Sequence, residues 1–284
     1  MDAKKYSAKL DAGEEAQFVP FVHELIGTAF AMIQPLFLTD LAVTSKSDDS
    51  PVTAADRGAE QALRAKIEQR YPQHGIVGEE FGVKDGGRYR WILDPIDGTR
   101  AFISNCFLFG TLIALERNDG GGFRPVLGCI AHAATGMALI GHARRTTLFR
   151  SDSSQRTVEV RPARDLAKAT VLMSSLPGSA EQGADPAVAR IAARAGMART
   201  WGDCFGYFAL ATGGADAMFD PQLSYWDVAA IVPVVEGAGG RVTSWRGGNP
   251  LADLSLIAAA NDGLLEEMLA LANAPPTASG SGLG

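Results

Sequence analysis

The sequence predicts an α/β protein in which helices flank a run of antiparallel strands. Apolar residues recur at helical spacing over 14–37. Short apolar runs bounded by turn formers, such as 107–115 and 125–131, are typical of strands. The glycine-rich segment 118–122 joins these two runs, and strands joined by so short a turn pair in antiparallel fashion.

The same two signals, helical spacing of apolar residues and short apolar runs, predict the remaining elements in chain order. They are a helix built on Ala59, Leu63 and Ile67, strands at 75–77, 90–93 and 137–141, helices at 186–195 and 205–211, a strand at 215–219, a helix at 228–237, two further strands, and a helix at 264–272. A polar run at 151–155 marks a soft boundary, so we divide the chain into 1–150 and 151–272. The tail 273–284 is rich in Pro, Ser and Gly, and we expect it to be disordered.

The composition is that of a folded protein and argues against several functional classes. The 284 residues are 46% hydrophobic, and 26 Lys and Arg against 32 Asp and Glu give a net charge of −6. This acidic balance argues against a nucleic-acid scaffold. Three scattered cysteines favour neither a disulfide framework nor a zinc ribbon. Because 1–11 lacks a signal-peptide core and polar residues interrupt the apolar segment 19–38, we expect a cytoplasmic protein with no membrane partner.

Two carboxylates stand close together in the segment 91–99 (WILDPIDGT). An apolar strand delivers Asp94 to its end, Pro95 sets a turn, and Asp97 follows one short turn later. Carboxylates this close repel unless a cation holds them, and oxygen ligands suit Mg²⁺. Gly98 and Thr99 then open a helix whose free N–H groups suit an anion such as phosphate. Ordinary turn chemistry is the alternative interpretation of the same residues.

Three further acidic residues lie at the ends of predicted elements. Asp56 stands at the entry of a helix, Glu79 follows a short strand, and Asp227 directly precedes an apolar helix. Taken singly, Glu79 could be a surface acid, and the two aspartates could be N-caps. Four separate carboxylate motifs at element ends favour a shared metal site.

This ordered set of acids resembles the inositol monophosphatase family of metal-dependent, lithium-sensitive phosphatases. The resemblance spans 46–240, and the segments 211–217 (ATGGADA) and 236–240 (EGAGG) match as well. It implies a layered α-β-α-β-α sandwich with a metal cage at the junction of its two halves. The first half would supply most of the cage, and the second would supply Asp227 and the substrate pocket. A homodimer is also implied.

The resemblance implies roles for each acid in binding two or three Mg²⁺ ions. Glu79, Asp94 and the backbone carbonyl of Ile96 would hold the first ion. Asp97 and Asp227 would hold the second, with Asp94 bridging the two. A third, weaker ion would depend on Glu79 and water.

The resemblance also implies the catalytic groups. Thr99, paired with Asp56, would orient and deprotonate the attacking water, with Glu79 as the third catalytic residue. The N–H groups of Gly98 and Thr99 would bind the phosphate. A hydroxyl bonded to a carboxylate can relay the proton of water, and phosphoryl transfer needs mainly positioning and charge neutralisation. The reaction expected is hydrolysis of a small phosphate monoester.

Specificity must come from groups outside the cage, and two acids stand out. Asp203 lies in the segment 201–207 (WGDCFGY), and Asp220 precedes a proline. Together with 97–103 (DGTRAFI), these residues resemble the histidinol-phosphate phosphatase branch, whose substrate carries an amine and an imidazole. Two carboxylates favour such a cationic group. The alternatives are an N-cap for Asp203 and a turn for Asp220.

Other functions remain open from the sequence. Inositol 1-phosphate, or a broad range of small esters, is the alternative substrate class. A haloacid-dehalogenase-type phosphatase is disfavoured, because its acids are two residues apart whereas Asp94 and Asp97 are three apart. A non-enzymatic regulatory protein on this scaffold predicts a missing cage ligand, and every expected ligand is present. The segment 104–106 (SNC) departs from the family pattern.

Overall fold

The computed structural model describes residues 6–40, 43–45, 51–142, 145–162, 164–176 and 186–275. The predicted disordered tail therefore lies outside the described residues from 276 onward. The helices of the described ranges are α1 (Ala12–Ile33), α2 (Ala54–Arg70), α3 (Thr99–Ile103), α4 (Pro186–Arg194), α5 (Asp203–Ala211), α6 (Tyr225–Gly237), α7 (Pro250–Asp253) and α8 (Asp262–Ala272). The strands are β1 (Thr44–Ser45), β2 (Pro51–Val52), β3 (Gly75–Gly78), β4 (Gly82–Lys84), β5 (Tyr89–Asp97), β6 (Gly110–Asn118), β7 (Phe123–His132), β8 (Met137–His142), β9 (Arg145–Phe149), β10 (Gln155–Val158), β11 (Thr170–Met173), β12 (Met197–Arg199), β13 (Ala217–Asp220), β14 (Arg241–Thr243) and β15 (Leu256–Ala259).

Local chemistry sets both ends of α1. At its start, the Asp11 carboxylate accepts a 2.8 Å hydrogen bond from the Glu14 N–H, and the Glu14 carboxylate accepts one of 2.9 Å from the Asp11 N–H. This reciprocal pairing is a capping box. At its end, the chain tightens into the 3₁₀ turn Gln34–Leu36. Pro35 lacks the N–H that another α-helical turn would need, so the α-helix is shorter than the 14–37 predicted.

The larger sheet has eight strands in the order β10-β9-β8-β7-β6-β5-β3-β4. All neighbouring pairs are antiparallel except β3 and β5, which confirms the predicted antiparallel meander. The prediction that a strand begins at 107 is wrong. The Phe107 carbonyl accepts from the His132 ring and the Cys106 N–H donates to the Ala101 carbonyl, so these groups are used outside the sheet and β6 begins at Gly110.

The smaller sheet has five strands in the order β12-β11-β13-β15-β14. Strand β11 is parallel to both β12 and β13, whereas β15 is antiparallel to β13 and β14. Helices supply the crossovers that parallel strands require. Here α4 connects β11 to β12 and α5 connects β12 to β13.

Three hydrophobic clusters show how the helices and sheets are layered. Helices α1 and α2 pack on one face of the larger sheet, α5 and α6 fill the space between the two sheets, and α4 and α8 cover the outer face of the smaller sheet. By length and composition the segment Ala12–Leu36 could cross a membrane, but Phe18, Val22 and Leu25 of α1 are buried in the first cluster. The order of layers is α-β-α-β-α, as predicted.

Strand β5 is buried on both faces and leads into the middle layer. Trp91 and Leu93 belong to the cluster under α1 and α2, and Ile92 belongs to the cluster under α6. Side chains alternate along a strand, so Asp94 points towards α6. The prediction that the strand ends at Asp94 and turns at Pro95 is wrong, because the strand continues to Asp97.

Close contact between β7 and α6 depends on Gly128. A Cβ atom at this position would lie 2.0 Å from the Ala230 carbonyl oxygen. Since both atoms belong to backbone in packed elements, we expect Gly128→Ala to lower the free energy of unfolding by about 3 kcal/mol, measured by urea denaturation. Gly121→Ala is the matched control, since a Cβ there meets no atom within 4 Å; it should change stability by less than about 0.5 kcal/mol. Equal losses would contradict this packing.

Candidate active site

A bulge at the end of β5 brings two carboxylates to one place. Asp94 pairs with Leu112 and Asp97 with Gly110, so three steps along β5 match two steps along β6. In a regular strand, residues three apart point to opposite faces, whereas one extra residue re-aims the side chain that follows it. The Asp94 and Asp97 carboxylates accordingly come together.

The third carboxylate comes from the first turn of α6. The Ser224 N–H donates a 2.8 Å hydrogen bond to Asp227 Oδ2, and the two residues form a capping box. Asp227 therefore lies inside the helix rather than before it, which corrects the sequence prediction. One oxygen from each of Asp94, Asp97 and Asp227 lies within 4.8 Å of the others.

The electrostatics of this cluster favour a bound cation. Burial, followed by like charges that include Glu79 and Asp97, raises the pKa of Asp94 well above its usual range. Burial and the Asp97 charge likewise raise the pKa of Asp227. Asp94 Oδ1 is buried without a hydrogen-bond partner among the described residues. Hard divalent cations prefer such oxygen ligands, so this donor set fits Mg²⁺.

Glu79 reaches the cluster through the turn after β3. Its N–H donates to the Leu93 carbonyl at 3.2 Å, which places it beside the strand that carries Asp94. Its negative charge is among the causes that raise the pKa of Asp94. The structure thus clusters three of the four acids predicted to bind metal and places Glu79 beside Asp94. The Ile96 carbonyl, predicted as a further ligand, accepts a 3.0 Å hydrogen bond from the Thr99 hydroxyl.

Glu60 anchors the Glu79 turn, and the sequence analysis missed it. Its fully buried carboxylate accepts hydrogen bonds from the Glu80 N–H at 2.7 Å and the Phe81 N–H at 3.1 Å. A Cβ atom on Gly78 would lie 2.0 Å from Glu60 Oε1, so only glycine fits there. The available signal was the spacing from Asp56, because residues four apart share one helix face.

Asp56 and Thr99 approach each other as predicted. Asp56 Oδ2 accepts from the Thr53 N–H at 2.8 Å and from the Thr53 hydroxyl at 2.6 Å. The other oxygen, Oδ1, lies 3.4 Å from the Thr99 hydroxyl. Burial raises the pKa of Asp56. The pair has the contact that a proton relay needs, although the Thr99 hydroxyl is closer to the Ile96 carbonyl.

The start of α3 differs in one respect from the predicted phosphate site. Gly98 has φ +79°, a conformation that favours glycine, and it precedes the first helical residue, Thr99. Burial raises the pKa of Asp97, and the Gly98 N–H, which is directed to that carboxylate, opposes the rise. The Thr99 N–H stands in the first turn, where a helix offers no carbonyl partner.

Two acids of the second half complete the site. A Cβ atom on Gly98 would lie 2.9 Å from Asp203 Oδ2, so the Asp203 carboxylate borders the start of α3. Burial, with the charges of Asp97 and Asp220, raises the pKa of Asp203 well above its usual range, and Arg100 opposes this rise. Asp203 is the first residue of α5, after the N-cap Gly202, so it is not the N-cap itself.

Asp220 lies behind Asp203, at the end of β13. Asp220 Oδ2 accepts a 2.8 Å hydrogen bond from the Tyr207 hydroxyl, and Oδ1 accepts one of 3.3 Å from the Ser174 N–H. Burial raises its pKa to about 7. The Ser174 hydroxyl in turn accepts from the Asp203 N–H at 2.9 Å. Sequence reasoning missed Tyr207 and Ser174, because no local pattern links β11, α5 and β13.

Cys204 also contributes more than packing. It is buried, as predicted, and its N–H donates a 2.5 Å hydrogen bond to Asp97 Oδ2. The second half of the chain therefore holds a carboxylate of the first half in place.

Comparison with known proteins agrees with this geometry. The model of the inositol monophosphatase family matches residues 14–274. The histidinol-phosphatase of Chlorobaculum parvum is 37% identical over 231 residues, covering 81% of this chain and 86% of that protein. The histidinol-phosphatase of Streptomyces coelicolor is 35% identical over 237 residues, covering 82% and 88%.

Solved structures show the same architecture. An inositol monophosphatase from Zymomonas mobilis aligns with a TM-score of 0.78 and 35% identity, over 93% of this chain and 99% of that one. These findings confirm the resemblance inferred from the acidic motifs. The chain belongs to the inositol monophosphatase family of metal-dependent phosphomonoesterases.

Proposed function

We propose that this protein hydrolyses L-histidinol phosphate to L-histidinol and phosphate in histidine biosynthesis, with Mg²⁺ as its metal. The observation that carries the proposal is the Asp203 carboxylate, which borders the start of α3 beside the metal cluster. A phosphate ester with a cationic group at its far end could neutralise the Asp203 carboxylate through a charge-assisted hydrogen bond. Similarity to the two histidinol-phosphatases supports the same substrate.

The metal ions would be held by the four clustered acids. Glu79 and Asp94, with the Ile96 carbonyl, would bind one ion, and Asp97 and Asp227 would bind a second that shares Asp94. Bound ions of this kind lower the pKa of water and neutralise the charge of the transferring phosphoryl group. Two or three ions per site, inhibition by lithium, a homodimer and a cytoplasmic location complete the proposal and rest on the family resemblance.

The chain's own residues would orient the water and take its proton. Asp56 Oδ2 is already occupied by Thr53, which leaves Oδ1 to accept the hydroxyl proton of Thr99. The Thr99 oxygen can then accept a proton from a water molecule. The Thr99 N–H would bind the phosphate. The Gly98 N–H, which is directed to the Asp97 carboxylate, would have to leave that carboxylate to join it.

The two specificity acids would act differently, one by direct contact with the substrate and the other through its charge. Asp203 would contact the substrate's ammonium or imidazole group. Asp220, whose oxygens are engaged by Tyr207 and Ser174, would act from behind by adding negative charge. An inositol phosphate offers only hydroxyl groups at that place, so this arrangement favours the cationic ester.

Phosphate release from L-histidinol phosphate and from inositol 1-phosphate tests the substrate. With Mg²⁺, we expect kcat/KM to favour histidinol phosphate by at least about tenfold, the effect of roughly 1.4 kcal/mol. EDTA should abolish release from both esters, and added Mg²⁺ should restore it. A preference for inositol 1-phosphate, or equal rates on a broad range of esters, would contradict the assigned substrate and leave the metal site intact.

Replacement of Thr99 tests the proton relay. We expect Thr99→Ala to lower kcat by about 10²-fold or more, because the water loses its contact to Asp56, while the Mg²⁺ concentration for half-maximal activity stays the same. Thr99→Ser keeps the hydroxyl and is the matched control, so it should retain most of the activity. An unchanged kcat in the alanine variant would remove Thr99 from this role.

Replacement of Asp203 tests the specificity pocket. Asp203→Asn keeps the size of the side chain and removes its charge, so kcat/KM for histidinol phosphate should fall about 10- to 100-fold. Activity on inositol 1-phosphate should change by less than about threefold, since an asparagine carbonyl oxygen still accepts a hydrogen bond from a hydroxyl, whereas a cationic group loses its opposite charge. Equal losses on both esters would show that Asp203 is structural.

A further inference from the structure

Three side chains join the larger sheet to the start of α6. Arg90 of β5 donates to Glu116 of β6 through Nε at 2.5 Å and to the Tyr225 hydroxyl through Nη2 at 2.9 Å. The Tyr225 hydroxyl donates to Glu116 Oε1 at 2.5 Å. Glu116 is fully buried. We call Arg90, Glu116 and Tyr225 the α6 clamp.

The α6 clamp lies next to two of the clustered acids. Arg90 and Asp94 are four residues apart on β5 and therefore share a face of the sheet. Tyr225 is two residues before Asp227 in the first turn of α6. The clamp thus joins the strand that carries Asp94 to the helix that carries Asp227.

Beyond its first turn, α6 is held to the larger sheet by other contacts. The Thr146 hydroxyl of β9 donates a 2.7 Å hydrogen bond to the Val234 carbonyl, and apolar side chains of α6 pack between the two sheets. The capping box with Ser224 orients Asp227 relative to its own helix only. The Asp94 and Asp227 carboxylates have oxygens within 4.8 Å of each other, so their like charges push the two elements apart. The α6 clamp opposes this with directional contacts to a buried glutamate, at the end of α6 that carries Asp227.

We propose that the α6 clamp sets the separation of the Asp94 and Asp227 carboxylates and thereby the affinity of the site for its metal. Arg90, Glu116 and Tyr225 are positioning residues, because they would act through the strand and the helix that carry Asp94 and Asp227. The proposal rests on the proposed function only in taking Asp94 and Asp227 as metal ligands.

The chain contains a matched counterpart on the opposite face of the same two strands. The Tyr89 hydroxyl donates to Glu14 Oε1 at 2.6 Å, and Arg117 donates to Glu14 Oε2 at 2.6 Å. Tyr89 and Arg117 are register partners directly beside Arg90 and Glu116. This second group has the same three residue types but joins α1, which carries none of the clustered acids. A variant of this second group therefore shows the effect of a lost hydrogen bond on stability alone, without an effect on the position of the metal ligands.

The test compares Tyr225→Phe with Tyr89→Phe in the full chain. Each variant removes one hydroxyl bonded to a buried glutamate, and both should lower the melting temperature. Only Tyr225→Phe should weaken metal binding, by about tenfold, as expected for loss of support to a metal ligand. Mn²⁺ binding, followed by electron paramagnetic resonance in the absence of substrate, measures this directly. The Mg²⁺ concentration for half-maximal phosphate release should rise by a similar factor.

The outcomes distinguish the two proposals. If wild-type protein binds Mn²⁺ and releases phosphate, but both variants bind Mn²⁺ as tightly as wild type, the clamp is only structural and this inference fails. If wild-type protein binds no Mn²⁺, the assigned metal site fails as well. Should Tyr225→Phe not fold, Arg90→Lys keeps the charge but loses the planar guanidinium fork that reaches Glu116 and Tyr225 together. That variant must then weaken Mn²⁺ binding for the inference to stand.

Discussion

Asp94, Asp97 and Asp227 are carboxylates within 4.8 Å of one another in a largely buried place, and the surrounding structure has to hold them there. Removal from water raises the pKa of each, and mutual repulsion adds to this for Asp94 and Asp227. A divalent cation would reverse the sign of this interaction. The acids therefore destabilise the protein without metal and favour a bound cation, so that the stability of the fold and the proposed function oppose each other at this point.

The layered sandwich supplies the opposing stability. The middle layer is enclosed by both sheets, and α6 is its main component. Close backbone contact at Gly128 presses α6 onto β7, and the α6 clamp holds the start of the helix. Hydrogen bonds then hold individual acids: Ser224 fixes Asp227, the Cys204 N–H fixes Asp97, and Glu60 fixes the turn of Glu79. Without such contacts, repulsion would separate elements that are joined by apolar packing alone.

The proposed substrate selectivity depends on where α5 begins. Asp203 has φ +51°, a left-handed conformation that few residues other than glycine adopt but that aspartate tolerates. This conformation places its carboxylate against Gly98, whose own φ is positive. Non-glycine residues held in this region cost energy and cluster at functional sites. This arrangement places one additional acid beside the carboxylate cluster without displacing the residues that hold the cluster together.

The sequence by itself determined the family, the alternation of helices and strands, and the identity of the four clustered acids, because each acid stands in a local motif at the end of an element. It did not determine the bulge that brings Asp97 beside Asp94, since bulges depend on pairing with β6. Nor did it reveal Glu60, Tyr207 or the α6 clamp. The hydrogen-bond partners of these residues are up to 135 positions away along the chain. Only tertiary structure decides which buried polar groups meet, because hydrogen-bond partners are set by packing and leave no local pattern.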